Sequence, residues 1–180
     1  CSLHHSFQRG VVMHKADAVT IDSNVVFHVV GHMFHMEGGV ERGNRFTRNL
    51  GVLALKSTIW KKDKSPAVFS ITNPTNFFAG NVAVGSAGHG FYMMLFDSPG
   101  GGCCACKKKI QFEPLGSFDD NLAHSNAVDG LLIDGHHPKN GLTHWYRFTG
   151  YHNWRMGVMT AIVSNHLYHD FTLAGNRRGN

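Results

Sequence analysis

The sequence predicts an all-β protein wound as a parallel β-helix, and three observations predict it. Short apolar segments recur behind asparagine or a polar residue and lead through glycine into a second apolar run: SFQRGVVMH (6–14), NVVFHVVGHMFHM (24–36), NVAVGSAGHGFYMML (81–95), NLAHSNAVDGLLID (121–134) and NWRMGVMTAIV (153–163). Asn81 to Gly90 and Asn121 to Gly130 share one spacing, and Phe7 and Phe27 occupy similar places in their segments. Helical periodicity is poor throughout, while 21 glycines and 13 phenylalanines favour short strands joined at corners. A supersecondary unit that repeats in this way stacks on its neighbours to bury one continuous core. Asparagines at equivalent corners then fall one above another, about 4.8 Å apart. A sandwich or a jelly roll is the rival all-β arrangement.

The elements follow in order. Each asparagine marks a corner, the apolar run after it a strand of three to five residues, and the glycine the next corner. Hairpins with two-residue turns do not fit, since no Asn-Gly or Asp-Gly pair stands alone between two alternating runs. Three segments break the rhythm and are expected to be loop insertions. KSTIWKKDKSP (56–66) is basic and ends in proline; DSPGGGCCACKKKIQFEPLGS (97–117) carries a glycine run and three cysteines; GHHPKNGLTHWYRFTG (135–150) is rich in histidine and aromatics. Long insertions on a rigid coil line a binding face or join a neighbour. No boundary divides residues 1–180, which are expected to form one β-helix region.

At 180 residues with 42% hydrophobic and 16% charged residues, the chain can bury a sizeable core and is not a disordered segment. The formal charge of +5, with 14 histidines able to add to it in acid, suits a polyanionic partner without choosing one. Nucleic acid is not expected, because aromatics do not interleave with the basic residues. No apolar run is long enough to span a membrane. The N-terminus has neither an initiator methionine nor a signal peptide, so the chain is expected to be a piece of a longer coil. Cys1, Cys103, Cys104 and Cys106 lack the second ligand pair of a zinc site, and a loop disulfide, to Cys1 or to a part beyond this chain, is expected instead.

The chemistry concentrates in GHMFHMEGGVE (31–41). Strict alternation would put His32, Phe34 and Met36 on one face and Met33, His35 and Glu37 on the other, with Gly38 and Gly39 free to return Glu41 toward either. His32, Glu37 and Glu41 are the candidate catalytic residues, since a histidine beside carboxylates is the minimum for acid–base work. If the coils align, His32, His89 and His124 form a column that would take a divalent metal ion. A corner histidine bonded to backbone and a glutamate paired with arginine explain the same residues structurally. Asn73 and Asn76 read most simply as a turn, with ligand binding through their amides the alternative. Trp60, Lys61 and Lys62 would offer a ring and a basic rim to a carboxylated sugar polymer if their loop and that of Lys107 to Lys109 fall on one side.

The order of these blocks resembles a known family. Gly31, His32, Phe34, Glu37, Gly38, Gly39 and Glu41, followed by Asn44 and the NLG of 49–51, are similar to the first coils of the extracellular β-helix shared by cell-surface hyaluronidase, cell migration-inducing hyaluronidase and fibrocystin-L. FSITNPTNFFAGNVAVGSAGHGFYMML and PLGSFDDNLAHSNAVDGLLID resemble the blocks that follow. The resemblance implies a right-handed parallel β-helix at the cell surface or outside the cell. It implies an acidic polysaccharide such as hyaluronan as partner, bound or depolymerised. The alternative is a non-catalytic structural segment that stacks on other parts of its parent protein or on like chains. Gly38 departs from the pattern, where an acidic residue is usual.

Overall fold

Why these residues form strands is plain from where they point. One side chain in two must enter the coil, and the runs supply Val, Phe, Met, Leu and Ile at those places. The computed structural model describes residues 1–59, 63–95 and 109–177. Among them the first coil contains β1 (Ser2–Ser6), β2 (Val11–Met13) and β3 (Thr20–Asp22), and the second β4 (Val25–Val30), β5 (Phe34–Met36) and β6 (Arg45–Thr47). The third contains β7 (Leu50–Leu55), β8 (Ala67–Ile71) and β9 (Phe77–Ala79), and the fourth β10 (Val82–Val84), β11 (His89–Met94) and β12 (Ser117–Asp119). Then come β13 (Leu122–His124), β14 (Asp129–Asp134) and β15 (Thr143–Tyr146), followed by β16 (Thr149–Tyr151), β17 (Met156–Ala161) and β18 (His166–His169), with β19 (Thr172–Ala174) beginning a seventh turn.

Every third strand pairs in parallel with the next. The first sheet runs β1-β4-β7-β10-β13-β16-β19, the second β2-β5-β8-β11-β14-β17 and the third β3-β6-β9-β12-β15-β18. That is a parallel β-helix, as the repeats predict. Among the described residues no helix is long and apolar enough to cross a membrane; one 3-10 turn lies at Ile110–Phe112.

Inside, like stacks on like. Phe34, Phe69 and Phe91 form a column on the second sheet, with centroids 4.7 and 4.8 Å apart and planes within 7° of parallel. Phe46 and Phe78 repeat this on the third sheet at 4.9 Å, with Phe118 and Trp145 above them. Asparagine ladders hold the corners. The Asn49 side-chain oxygen takes the Asn24 backbone N–H at 3.0 Å, Asn81 takes that of Asn49 at 3.1 Å, and Asn121 takes that of Asn81 at 3.0 Å. A second ladder joins Ser86, Asn126, Asn153 and Asn176. Gly90, Gly130 and Gly157 stack as a third column. A Cβ on Gly90 would meet the Gly130 carbonyl oxygen at 2.6 Å, and one on Gly130 would meet that of Gly157 at 2.6 Å.

A left-handed residue recurs at one level of the first sheet: His5, His28 and Leu53 lie within β1, β4 and β7, while Gly85, Ser125, His152 and Gly175 directly follow β10, β13, β16 and β19, and all have φ between 53° and 70°. Such a residue kinks the strand in the first three coils, which pairs again beyond it, and opens the corner in the last four. Phe7 does not match Phe27, however. Phe27 pairs with His4, while Phe7 lies beyond the strand and is 88% exposed.

The three irregular segments resolve differently. In 56–66, residues 60–62 lie outside the described residues, and Asp63 just beyond them is fully buried. Residues 96–108 lie outside the described residues, with Cys103, Cys104 and Cys106, and Cys1 is an exposed free thiol that gives the expected disulfide no support. Within 135–150 only 135–142 is irregular, because Thr143–Tyr146 is β15 and Thr149 opens β16. Trp145 and Phe148 there are fully buried, while Tyr146 is exposed.

Candidate functional site

Of the residues singled out by sequence, His32 and Glu37 lie where the second sheet begins, linked through Asp63 and Arg9, and Gly31 creates the room. Its φ is +91°, and a Cβ there would sit 2.6 Å from Asp63 Oδ2. His32 follows and is 4% exposed. Its Nδ1 accepts the backbone N–H of Ala67 at 3.0 Å, so the ring proton resides on Nε2, which faces Asp63 Oδ1 at 3.4 Å. Burial pulls the His32 pKa down to about 4, against the nearby Asp63 charge and with help from Arg9 and His89. The imidazole is therefore neutral near pH 7.

Asp63 is gripped from the other side. Arg9 donates through Nε at 2.9 Å and Nη2 at 3.1 Å, a two-pronged contact. Burial pushes the Asp63 carboxyl upward, but the Arg9 hydrogen bond and the His32 and Arg9 charges outweigh it and hold the pKa below the usual range. Arg9 also reaches Glu37 Oε1 at 3.4 Å, and His14 Nδ1 lies 3.1 Å from Glu37 Oε2. Glu37 is half exposed. The His32 ring stacks on His35 at 4.9 Å, and His35 Nδ1 lies 3.0 Å from the Ser70 hydroxyl. His32 and His35 thus share a side, while Met33, Phe34 and Met36 belong to the core. Alternation fails here because the strand starts only at Phe34, leaving Gly31 to Met33 as a corner.

The same pattern recurs two rungs along. Phe34 pairs with Phe69 and His89 with Ala67, so His32 and His89 stand in one column on either side of Ala67. His89 Nδ1 lies 3.2 Å from Asp129 Oδ2, and Arg155 clasps Asp129 through Nε at 2.8 Å and through Nη2. The His89 ring stacks on Tyr92 at 4.8 Å, as His32 does on His35. Burial raises the Asp129 pKa, but hydrogen bonds from Arg155 and His89 hold it below the usual value. Two histidine–aspartate–arginine clusters therefore flank one alanine.

The remaining candidates lie apart. Glu41 is fully buried, its Oε1 accepting the Lys15 and Gly38 amides at 3.1 and 3.2 Å, so it closes the corner that Gly38 and Gly39 open. His124 stands on the first sheet, stacked on Tyr151 at 4.6 Å. The residue aligned with His89 in its coil is Asp129, since Phe91 pairs with Leu131. Asn73 and Asn76 are buried: Asn73 donates to the Gly39 carbonyl at 2.9 Å, and the Asn76 side-chain oxygen accepts the Asn44 backbone N–H at 2.9 Å. Trp60, Lys61 and Lys62 lie outside the described residues. Among the described residues no group of three or more His, Cys, Asp or Glu is placed to hold a metal ion.

Sequence reading missed Arg9, Asp63, Asp129 and Arg155. Asp63 sits among lysines in a stretch that reads as a solvated loop, and only its return into the coil reveals it. A signal for the second cluster was present: His-x-Phe-His at 32–35 and His-x-Phe-Tyr at 89–92 share the position of histidine, phenylalanine and a second ring.

Fold and site together define a parallel β-helix with asparagine ladders inside and histidine–aspartate–arginine clusters on one face. The chain belongs to the CEMIP beta-helix family, whose model matches residues 1–131. It is 34% identical over 137 residues to mouse (Mus musculus) fibrocystin-L, covering 74% of this chain and 3% of that protein. It is 29% identical over 160 residues to cell surface hyaluronidase of Danio rerio, and equally to human (Homo sapiens) cell migration-inducing and hyaluronan-binding protein. Each of those matches covers 74% of this chain and 12% of the relative. The chain thus spans a small part of the relatives it matches.

Proposed function

We propose that this chain is the glycan-recognising β-helix region of an extracellular or cell-surface protein, and that it holds an acidic polysaccharide such as hyaluronan without cutting it at His32, Glu37 and Glu41. One observation carries the choice of binding over cleavage. Both His32 nitrogens face partners within the protein and Glu41 is buried against two amides, which leaves Glu37 as the exposed one of the two carboxylates. Hydrolysis of a glycosidic bond calls for two carboxyl groups on either side of it. The glycan itself is supported by the relatives named for hyaluronan and by the net positive charge.

Defined-length hyaluronan, immobilised for binding and free for sizing, tests this with and without a chelator. The chain should be retained and the polymer should keep its length in both arms. Shortening that disappears in Glu37→Gln would overturn the non-cleaving reading, and a chain that is not retained would overturn the glycan. A second reading, a structural coil segment, is supported by the similarity to fibrocystin-L, a relative whose name carries no glycan. It predicts self-association visible by light scattering and no retention.

A further inference from the structure

The clusters on the second sheet are a poor seat for a polyanion. Arg9 and Arg155 are each consumed by a buried aspartate, and Glu37 adds a further negative charge. The corner beside them is different. A groove of about 610 Å³ runs along it over four successive coils, from Leu53 and Leu55 across Ala87 and Ala127 to His152 and Trp154. We propose that this groove is the polysaccharide-binding site, with the sugar chain lying parallel to the helix axis; the ligand class rests on the reading above, the location does not.

Four observations carry it. Direction comes first: the lining comes from equivalent levels of consecutive coils, the end of β7 and the corners after β10, β13 and β16, so the groove follows the axis for three rung steps, about 14 Å. That is a shape for a linear chain. The floor is made of small residues, and a left-handed residue recurs at each level, Leu53, Gly85, Ser125 and His152. It is also rigid, because Ser86 and Asn126 within it belong to the buried ladder that continues through Asn153 and Asn176. A preformed site loses little entropy when a ligand settles.

Trp154 supplies the contact. Its indole is 63% exposed at the end of the groove, and the Arg177 guanidinium lies 3.8 Å from the ring centroid on one side. An exposed ring fixed by a cation on one face offers the other to the apolar face of a sugar. Charge decides the class of sugar. No aspartate or glutamate lines the groove among the described residues, while His152 lies in it and Arg177 borders it. A uronate carboxylate would meet the donors it needs from Arg177, and an uncharged chain would forgo them.

Binding of the whole chain to a hyaluronan oligosaccharide, measured by calorimetry with circular dichroism as the check on folding, tests the site. Trp154→Ala and Ala127→Glu, both at exposed positions, should each weaken binding at least tenfold, the second by placing a carboxylate in the groove. Arg45→Ala removes a positive charge from the third sheet and should leave binding within twofold. Folded Trp154→Ala and Ala127→Glu variants that bind like the unaltered chain would overturn the groove and leave the glycan reading standing. Arg45→Ala weakening binding as much as they do would also overturn it, by showing attraction to charge without a seat. An unaltered chain that binds no hyaluronan would instead overturn the glycan reading.

Discussion

Asn81 shows what one side chain does in this fold. Its Oδ1 accepts from both the backbone and the side chain of Asn49, while its Nδ2 donates to the Phe46 carbonyl at 2.8 Å. All of this is buried, away from water that could substitute. Asn81→Ala strands donors on the coil below and a carbonyl beside it, so it should cost about 2 kcal/mol, read as a lower midpoint in urea unfolding. Asp would fare no better, since it can accept but not donate. That asparagines mark the corners was legible from their recurrence before glycine. That Glu41 performs a related task, satisfying two amides from inside, was not: nothing in the string separates a glutamate that latches a corner from one that faces solvent.

At the scale of an element, the second sheet's entry corner carries a pH dependence whose sign follows from His32. Its folded pKa is about 4 and its unfolded value 6.5, so the folded state resists the proton. The contribution is intact above pH 6.5, and stability falls as pH drops from 6.5 toward 4. Over that window the loss amounts to about 3 kcal/mol from this group alone. Urea unfolding at pH 7.5, 6 and 5 should show the decline, and His32→Gln should flatten it.

The last irregular loop responds in the same direction. His136 Nε2 donates to the Glu113 carbonyl at 3.0 Å, so its Nδ1 is free to accept from His166 Nε2 at 2.9 Å, and Tyr168 in turn donates to His166 Nδ1 at 3.0 Å. Burial lowers both histidines, His166 to about 4. This chain of bonds ties residues 109–116 to the coil, and amide exchange in that segment should rise in acid beyond its intrinsic pH dependence. The sequence announces histidines in 135–150, but not their order of donation, which depends on a carbonyl that lies 23 residues away.

The whole molecule behaves as a stack whose members support only their neighbours. Phe69 lies between Phe34 and Phe91 in that stack, so removing it empties the middle of a column. Phe69→Ala should cost about 3 to 5 kcal/mol. In a nearest-neighbour assembly the damage stays local. Hydrogen exchange should therefore quicken most in the second, third and fourth coils and less in the sixth. Uniform loss of protection would contradict that picture. Glycine columns impose the matching constraint from the other side, since any side chain at Gly90 or Gly130 collides with the backbone of the next coil.

The repeat by itself determined the coil. Asparagine, apolar run and glycine recur because each turn must satisfy its corner, fill its core and bring its backbone close to the next, and those demands fall on residue types that can be read in order. Only the tertiary structure decided which polar residues meet. His32 and His89 share a column while His124 does not, because register is counted by strand pairing and not by a resemblance between Gly-His pairs. Asp63 reaches His32 from 31 residues away, and the groove ending at Trp154 is assembled from four coils. Contacts of that kind depend on loop lengths and on how the windings align, and neither is written at any single position of the chain.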